Sequence, residues 1–182
     1  SGNPSVSGTI DQNAMIITVT GAWTGNAGAG ASIEVYKSSD CSGAAFFTQA
    51  ISALQGDGQS VTVSATDYPV IERGHDYCGR VILGGTAVTG NLGSLDFATI
   101  DSASLGLADV VAPSLGASIS LSRQTPLTIY LYDGATRDGD TCIGGSLVSS
   151  ATHTSALHTE TFTSSAGHPF TRGGSYCAKF EL

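Results

Sequence analysis

The sequence predicts an all-β chain built as two tandem antiparallel β-sandwiches, and three observations carry that expectation. The 182 residues are rich in Gly, Ser, Thr, Ala and Val and contain only 7 Lys and Arg, so the residues that favour surface helices are scarce. Short stretches alternate apolar and polar side chains, as in Ile17-Thr18-Val19-Thr20 and Val61-Thr62-Val63-Ser64, which is the pattern of a sheet with one buried and one wet face. One segment also occurs twice. Ile71-Glu72-Arg73-Gly74-His75-Asp76-Tyr77-Cys78-Gly79-Arg80-Val81 returns 99 positions further on as Phe170-Thr171-Arg172-Gly173-Gly174-Ser175-Tyr176-Cys177-Ala178-Lys179-Phe180. Self-similarity at such a period marks two copies of one unit, expected here as residues 1–101 and 102–182.

In the first copy, turn-rich spacers separate strands expected at Val6–Ile10, Met15–Trp23, Ile33–Lys37, Ala44–Ile51, Ser60–Ala65 and Tyr77–Leu83. After a Gly-rich turn, the alternating stretch Leu95–Ile100 reads as one more strand. The second copy repeats the order with Ile119–Leu121, Leu127–Tyr132, Ile143–Ser149, Thr159–Thr163 and Tyr176–Phe180, and then stops at Leu182. The second sandwich is therefore expected to lack its last strand. That leaves backbone N–H and C=O groups without partners along Tyr176, Ala178, Phe180 and Leu182, a candidate acceptor edge.

Four cysteines fall into equivalent pairs, one per copy, and each pair ends at the Tyr-Cys of the repeat. Four cysteines allow three connectivities, and the repeat favours Cys41 with Cys78 and Cys142 with Cys177. Disulfides of this kind imply an oxidising, extracellular setting. No short Cys-x-x-Cys spacing supports a zinc knuckle. The formal net charge of −8 excludes partners that need a basic surface, which removes nucleic acid and anionic membrane. No apolar run is long enough to insert in a membrane. Ser1 reads as a processed N-terminus with a leader removed.

The pattern Ile71, Gly74, Tyr77, repeated as Phe170, Gly173, Tyr176, resembles the tyrosine corner of immunoglobulin-like and fibronectin type III-like domains. The resemblance implies a tyrosine hydroxyl that bonds back to the backbone at the turn entering strand F. It departs from the antibody pattern in having no cysteine in the second strand, so the bridge is expected to tie the turn after strand C to strand F within one sheet.

Residues that carry chemistry are few. The loop Asp133-Gly134-Ala135-Thr136-Arg137-Asp138-Gly139-Asp140 offers Asp133, Asp138 and Asp140 to a calcium ion, but it lacks the bidentate Glu and length of an EF-hand and reads as a solvated turn. His153, His158 and His168 read as exposed loop histidines without metal spacing. Gly25-Asn26-Ala27-Gly28-Ala29-Gly30 reads as a turn, lacking the Lys of a phosphate loop. Trp23, Tyr36, Tyr130 and Tyr132 offer sugar-stacking faces, although core packing is the commoner role for such aromatics. No nucleophile–base constellation appears, so the expectation is a non-enzymatic chain without cofactor.

The missing strand shapes the functional expectation. Ser5-Val6-Ser7-Gly8-Thr9-Ile10 is a short alternating strand suited to donation into a neighbour's slot, a form of β-strand addition. By the repeat register, residues 1–12 equally align with the first strand of the second copy and fit a strand of the first domain itself. Donor and acceptor at opposite ends make a head-to-tail contact, which propagates into a homopolymer unless it closes into a ring. The arrangement resembles, in assembly logic, the donor-strand pili of bacteria and the surface threads of archaea. The expectation is a subunit of an extracellular filament or surface lattice whose partners are copies of itself. The alternative is a monomeric adhesion or carbohydrate-binding module that meets glycans or a cell surface.

Overall fold

A computed structural model describes residues 2–182. The described residues form fifteen strands and no helix, and the chain divides into two compact units, one ending at Phe97 and the other running from Ala98 to Leu182. The boundary expected after residue 101 falls inside a strand of the second unit.

The first unit contains β1 (Gly2–Asp11), β2 (Ile16–Thr24), β3 (Ser32–Tyr36), β4 (Phe47–Ala50), β5 (Gln59–Ser64), β6 (His75–Leu83) and β7 (Thr86–Leu95). Its two antiparallel sheets have the orders β1-β2-β5 and β4-β3-β6-β7. Alternation decides which side chains meet between them. Ile17, Val19, Val61 and Val63 come from one sheet and Ile33, Val35, Tyr77 and Val81 from the other, and all are buried in one core. The threonines and serines between them stay on the outer face, where Thr20 and Ser60 hydroxyls pair across β2 and β5 at 2.8 Å.

The strand after β6 begins earlier than the sequence pattern indicates. It is Thr86–Leu95, joined to β6 by Gly84 and Gly85 at φ 55° and 82°, the left-handed pair that a two-residue hairpin turn demands. Residues 96–99 belong to no strand, and Ile100 opens the second unit's first strand. Glycines at 90 and 93 disguised β7 as a turn, because glycine is depleted in strands. Gly90 is there for space: a Cβ at this position would lie 2.7 Å from the Val6 carbonyl oxygen.

The second unit contains β8 (Ile100–Asp109), β9 (Ser114–Leu121), β10 (Leu127–Asp133), β11 (Thr136–Asp138), β12 (Thr141–Ile143), β13 (Ser146–His153), β14 (Leu157–Thr163) and β15 (Tyr176–Glu181). Its main sheets, β14-β9-β8 and β13-β10-β15, repeat those of the first unit strand for strand, with β11 and β12 added as a hairpin. The match stops at β15, which pairs with β10 alone among the described residues. Among the described residues no counterpart of β7 stands in this sheet. Eight buried residues form this core against fifteen in the first unit, so it has less apolar burial to oppose chain entropy.

Candidate functional site

The two copies of the repeat build one scaffold. In the first unit the Tyr77 hydroxyl donates to the Glu72 carbonyl at 3.0 Å and accepts from the Glu72 N–H at 2.8 Å. Burial raises its pKa above the ordinary phenol value. In the second unit the Tyr176 hydroxyl accepts from the Thr171 N–H at 2.7 Å. Gly74 and Gly173 take φ of 84° and 75° at the turns leading into these strands. Ile71 is buried beneath the first turn, and the Phe170 ring packs 5.1 Å from that of Tyr176. The disulfides are Cys41–Cys78 and Cys142–Cys177, each tying the segment after the C-type strand, β3 or β10, to its neighbour in the same sheet, β6 or β15.

That scaffold holds β15 at an edge. Tyr176, Ala178 and Phe180 face the core from β15, and Leu182 lies just beyond it, half exposed. Two cavities flank the strand. One, of about 410 Å³, runs from Leu107, Val110 and Leu115 to Phe170, Arg172 and Tyr176. The other, of about 530 Å³, runs from Ile100–Ala103 to Phe180–Leu182. Both have the β8 side as one wall and the β15 side as the other, so together they mark a groove. In the first unit the same strip is filled: β7 lies beside β1, with Leu92 against the sites of Gly8 and Gly79 and Gly90 beneath Val6. Leu107 of the groove is 64% exposed. Arg137 reaches from the β11–β12 hairpin, donates to the Ala178 carbonyl at 3.2 Å and lines the second cavity, which partly guards the edge.

Ser5–Ile10, the candidate donor, is not a free extension in this structure. It is part of β1, paired antiparallel with β2 from Ser5–Ala22 to Asp11–Ile16, with Val6 and Ile10 packed on the first core. Its inward side chains alternate with polar ones, so it suits any slot with the same pleat, its own included.

The three aspartates do not converge. Asp133 ends β10, while Asp138 and Asp140 stand exposed at the hairpin tip. Trp23 and Tyr36 are buried and offer no face to a sugar. Tyr130 and Tyr132 are not core residues. They sit half-buried on the opposite face of β10 from Ile129 and Leu131, and the Lys179 ammonium lies 5.6 Å from the Tyr130 ring centre.

The structure instead brings two of the histidines expected in exposed loops together with Glu160, which sequence patterns did not single out. His153, at the end of β13, and His158 and Glu160, on β14, bring their ligand atoms within 4.8 Å of one another. Glu160 Oε2 lies 2.7 Å from His153 Nε2 and 3.1 Å from His158 Nε2, and the two imidazoles stack with centres 3.4 Å apart. The hydrogen bond from His158 and then that from His153 hold the Glu160 carboxyl below the usual glutamate range, against partial burial that pushes it up. The available signal was the period of two. His158, Glu160 and Phe162 share the inward face of β14, so they are not loop residues. His153 joins them only because the chain turns at residues 154–156. His168 is elsewhere, on the rim of a 270 Å³ cavity that Glu160 also borders.

No protein-family model, no curated protein and no solved structure matches this chain.

Proposed function

We propose that this chain is a structural subunit of an extracellular filament or surface lattice, joined head to tail when β1 of one copy adds to the outer edge of β15 in the next. The observation that carries the reading is the groove between β8 and β15, empty of a strand where the first unit holds β7. An unpaired edge beside an apolar slot is stabilised by any strand that completes the ladder and buries alternate side chains.

The choice of β1 as donor rests on a pattern. Val88-Thr89-Gly90-Asn91-Leu92, the part of β7 that fills the strip in the first unit, has the same apolar-polar-Gly-polar-apolar order as Val6-Ser7-Gly8-Thr9-Ile10. β1 is itself an edge strand with one ladder partner, β2. Moving it to β15 exchanges one ladder for another, so donation is a strand exchange with little net change in backbone hydrogen bonding. Two intradomain disulfides fit the oxidising compartment where such assemblies work.

Negative-stain electron microscopy tests this on the unheated protein beside a form lacking residues 1–11. Regular fibres only in the full chain support the proposal. Fibres in both keep the polymer and remove β1 as donor, whereas dispersed particles in both overturn the filament. Register has its own check. Superposing the two five-residue patterns sets Ser7 opposite Lys179, as Thr89 stands opposite Arg80. Ser7→Cys with Lys179→Cys is then expected to yield oxidised intermolecular ladders, and cysteines one residue out of register should not.

A further inference from the structure

We infer that His153, His158 and Glu160 form a binding site for a single zinc-class divalent ion, which clips β13 to β14 at the lateral edge of the second unit opposite the groove. Three observations carry this. Two Nε2 atoms and one carboxylate oxygen converge within 4.8 Å, and neighbouring ligands of a tetrahedral zinc stand about 3.3 Å apart. The observed Nε2–Oε2 separations of 2.7 and 3.1 Å lie near that spacing, and the two stacked rings must swing apart for both nitrogens to face one ion. Two imidazoles and a carboxylate select a late first-row metal over calcium or magnesium, which take oxygen ligands.

The second observation is what these residues replace. Glu160 pairs with Ala117 and His158 with Ile119, the positions that correspond in the first unit to Val61 opposite Val19 and Gln59 opposite Gly21, as the matching contacts of Ser164 with Pro113 and of Ala65 with Met15 fix. The fold accepts valine at the Glu160 site. Polar groups there give up hydration between two sheets, a cost that neutral packing avoids and that bound metal offsets. Third, Glu160 borders a cavity of about 270 Å³. Three protein ligands with space beside them leave a position for water or an exogenous group. β13 and β14 belong to different sheets, so the ion would join the two layers at the edge away from Cys142–Cys177.

The test is isothermal titration of zinc into the chelator-treated chain, with cobalt as a spectroscopic probe of coordination and NMR to identify the histidines. The expected result is one equivalent bound, visible cobalt ligand-field bands, shifts confined to His153 and His158, and a melting point for the second unit raised by several degrees. His153→Ala and Glu160→Gln are each expected to weaken binding by more than about tenfold, while His168→Ala and His75→Ala leave it unchanged. His158→Gln with Glu160→Val, which restores the first unit's residues, guards against misfolding: it should fold by circular dichroism and bind no zinc. Absence of saturable uptake at millimolar zinc overturns the inference. So does uptake that survives in this double variant or disappears in His168→Ala.

Discussion

The two units share a frame and differ at opposite edges. In the first, β7 closes the sheet beside β6, and Val61 and Val63 fill the inward face of β5. In the second, β15 stands open and the strand corresponding to β5 carries His158 and Glu160 inward. The centre is alike in both: a tyrosine whose hydroxyl bonds back to the entering turn, a disulfide that anchors the segment after the C-type strand to the Tyr-Cys strand, and an aliphatic core. The comparison teaches that the repeated residues secure the centre of the sandwich. The edges, where a strand can be lost or a core position made polar at limited cost, are where the copies diverge.

Four experiments break or sharpen that comparison. The largest effect is expected from giving the second unit a counterpart of β7. Joining a copy of residues 84–95 directly after Leu182 places a β7 equivalent against β15. Burying Val88 and Leu92 contributes about 1.5–3 kcal/mol each before the cost of ordering the strand. The second unit should melt higher and fibres should vanish, because the slot is filled from within the same chain. Fibres that persist would show that the β15 edge is not the joint.

Removing the bridges comes next. Cys41→Ser with Cys78→Ser, or Cys142→Ser with Cys177→Ser, each releases a constraint worth about 3–4 kcal/mol for loops of these lengths. The loops are nearly equal, with separations of 37 and 35, so the difference must come from the cores. The smaller second core should then fail to fold while the first survives. Trp23, the one tryptophan, reports the first unit alone in a urea titration. If the first unit proves the more sensitive, core size is not what separates the two.

The tyrosine corners give a graded contrast. Tyr77→Phe leaves the partly buried backbone N–H and carbonyl of Glu72 without the hydroxyl that pairs both, at an expected cost of about 1–2 kcal/mol. Tyr176→Phe removes a hydrogen bond to a more exposed segment and should cost less. Urea midpoints of the two variants, each read on its own unit, decide it.

The smallest effect is electrostatic. The Lys37 ammonium, 2.8 Å from Glu72, holds that carboxyl below the usual glutamate range, chiefly through their hydrogen bond. A carboxyl with a depressed pKa stabilises the fold at neutral pH and gives this up as pH falls through its lowered value. The carboxyl resonance of Glu72 should therefore titrate below an ordinary glutamate, and Lys37→Met should move the midpoint up. The pair is exposed, so salt should have much the same effect.

Much of this was legible in the residues, for local reasons. A period of two in Ile17–Thr20 and Val61–Ser64 fixes which side chains turn inward whatever the sheet order. The repeated apolar-x-x-Gly-x-x-Tyr-Cys carries its own turn, its own hydroxyl bond and one end of each bridge, so its role follows from spacing. That β15 has no second ladder partner among the described residues could be read by laying one copy on the other. Where β7 itself lay could not, because Gly90 and Gly93 look like turn residues until Val6 is seen to crowd Gly90 from a different sheet.

Tertiary structure alone decided the rest. Ser5–Ile10 fits its own sheet and a neighbour's slot equally well by pattern, and only pairing with β2 shows where it rests in this chain. Tyr130 and Tyr132 share a face by sequence, but which face is buried depends on Ile129 and Leu131 meeting the opposite sheet. His153 and Glu160 become neighbours because the chain turns from one sheet into the other between them. Alternation and spacing act within a strand and are written in the sequence. Convergence across sheets is set by how two layers stack, a property of the packed core that no single segment contains.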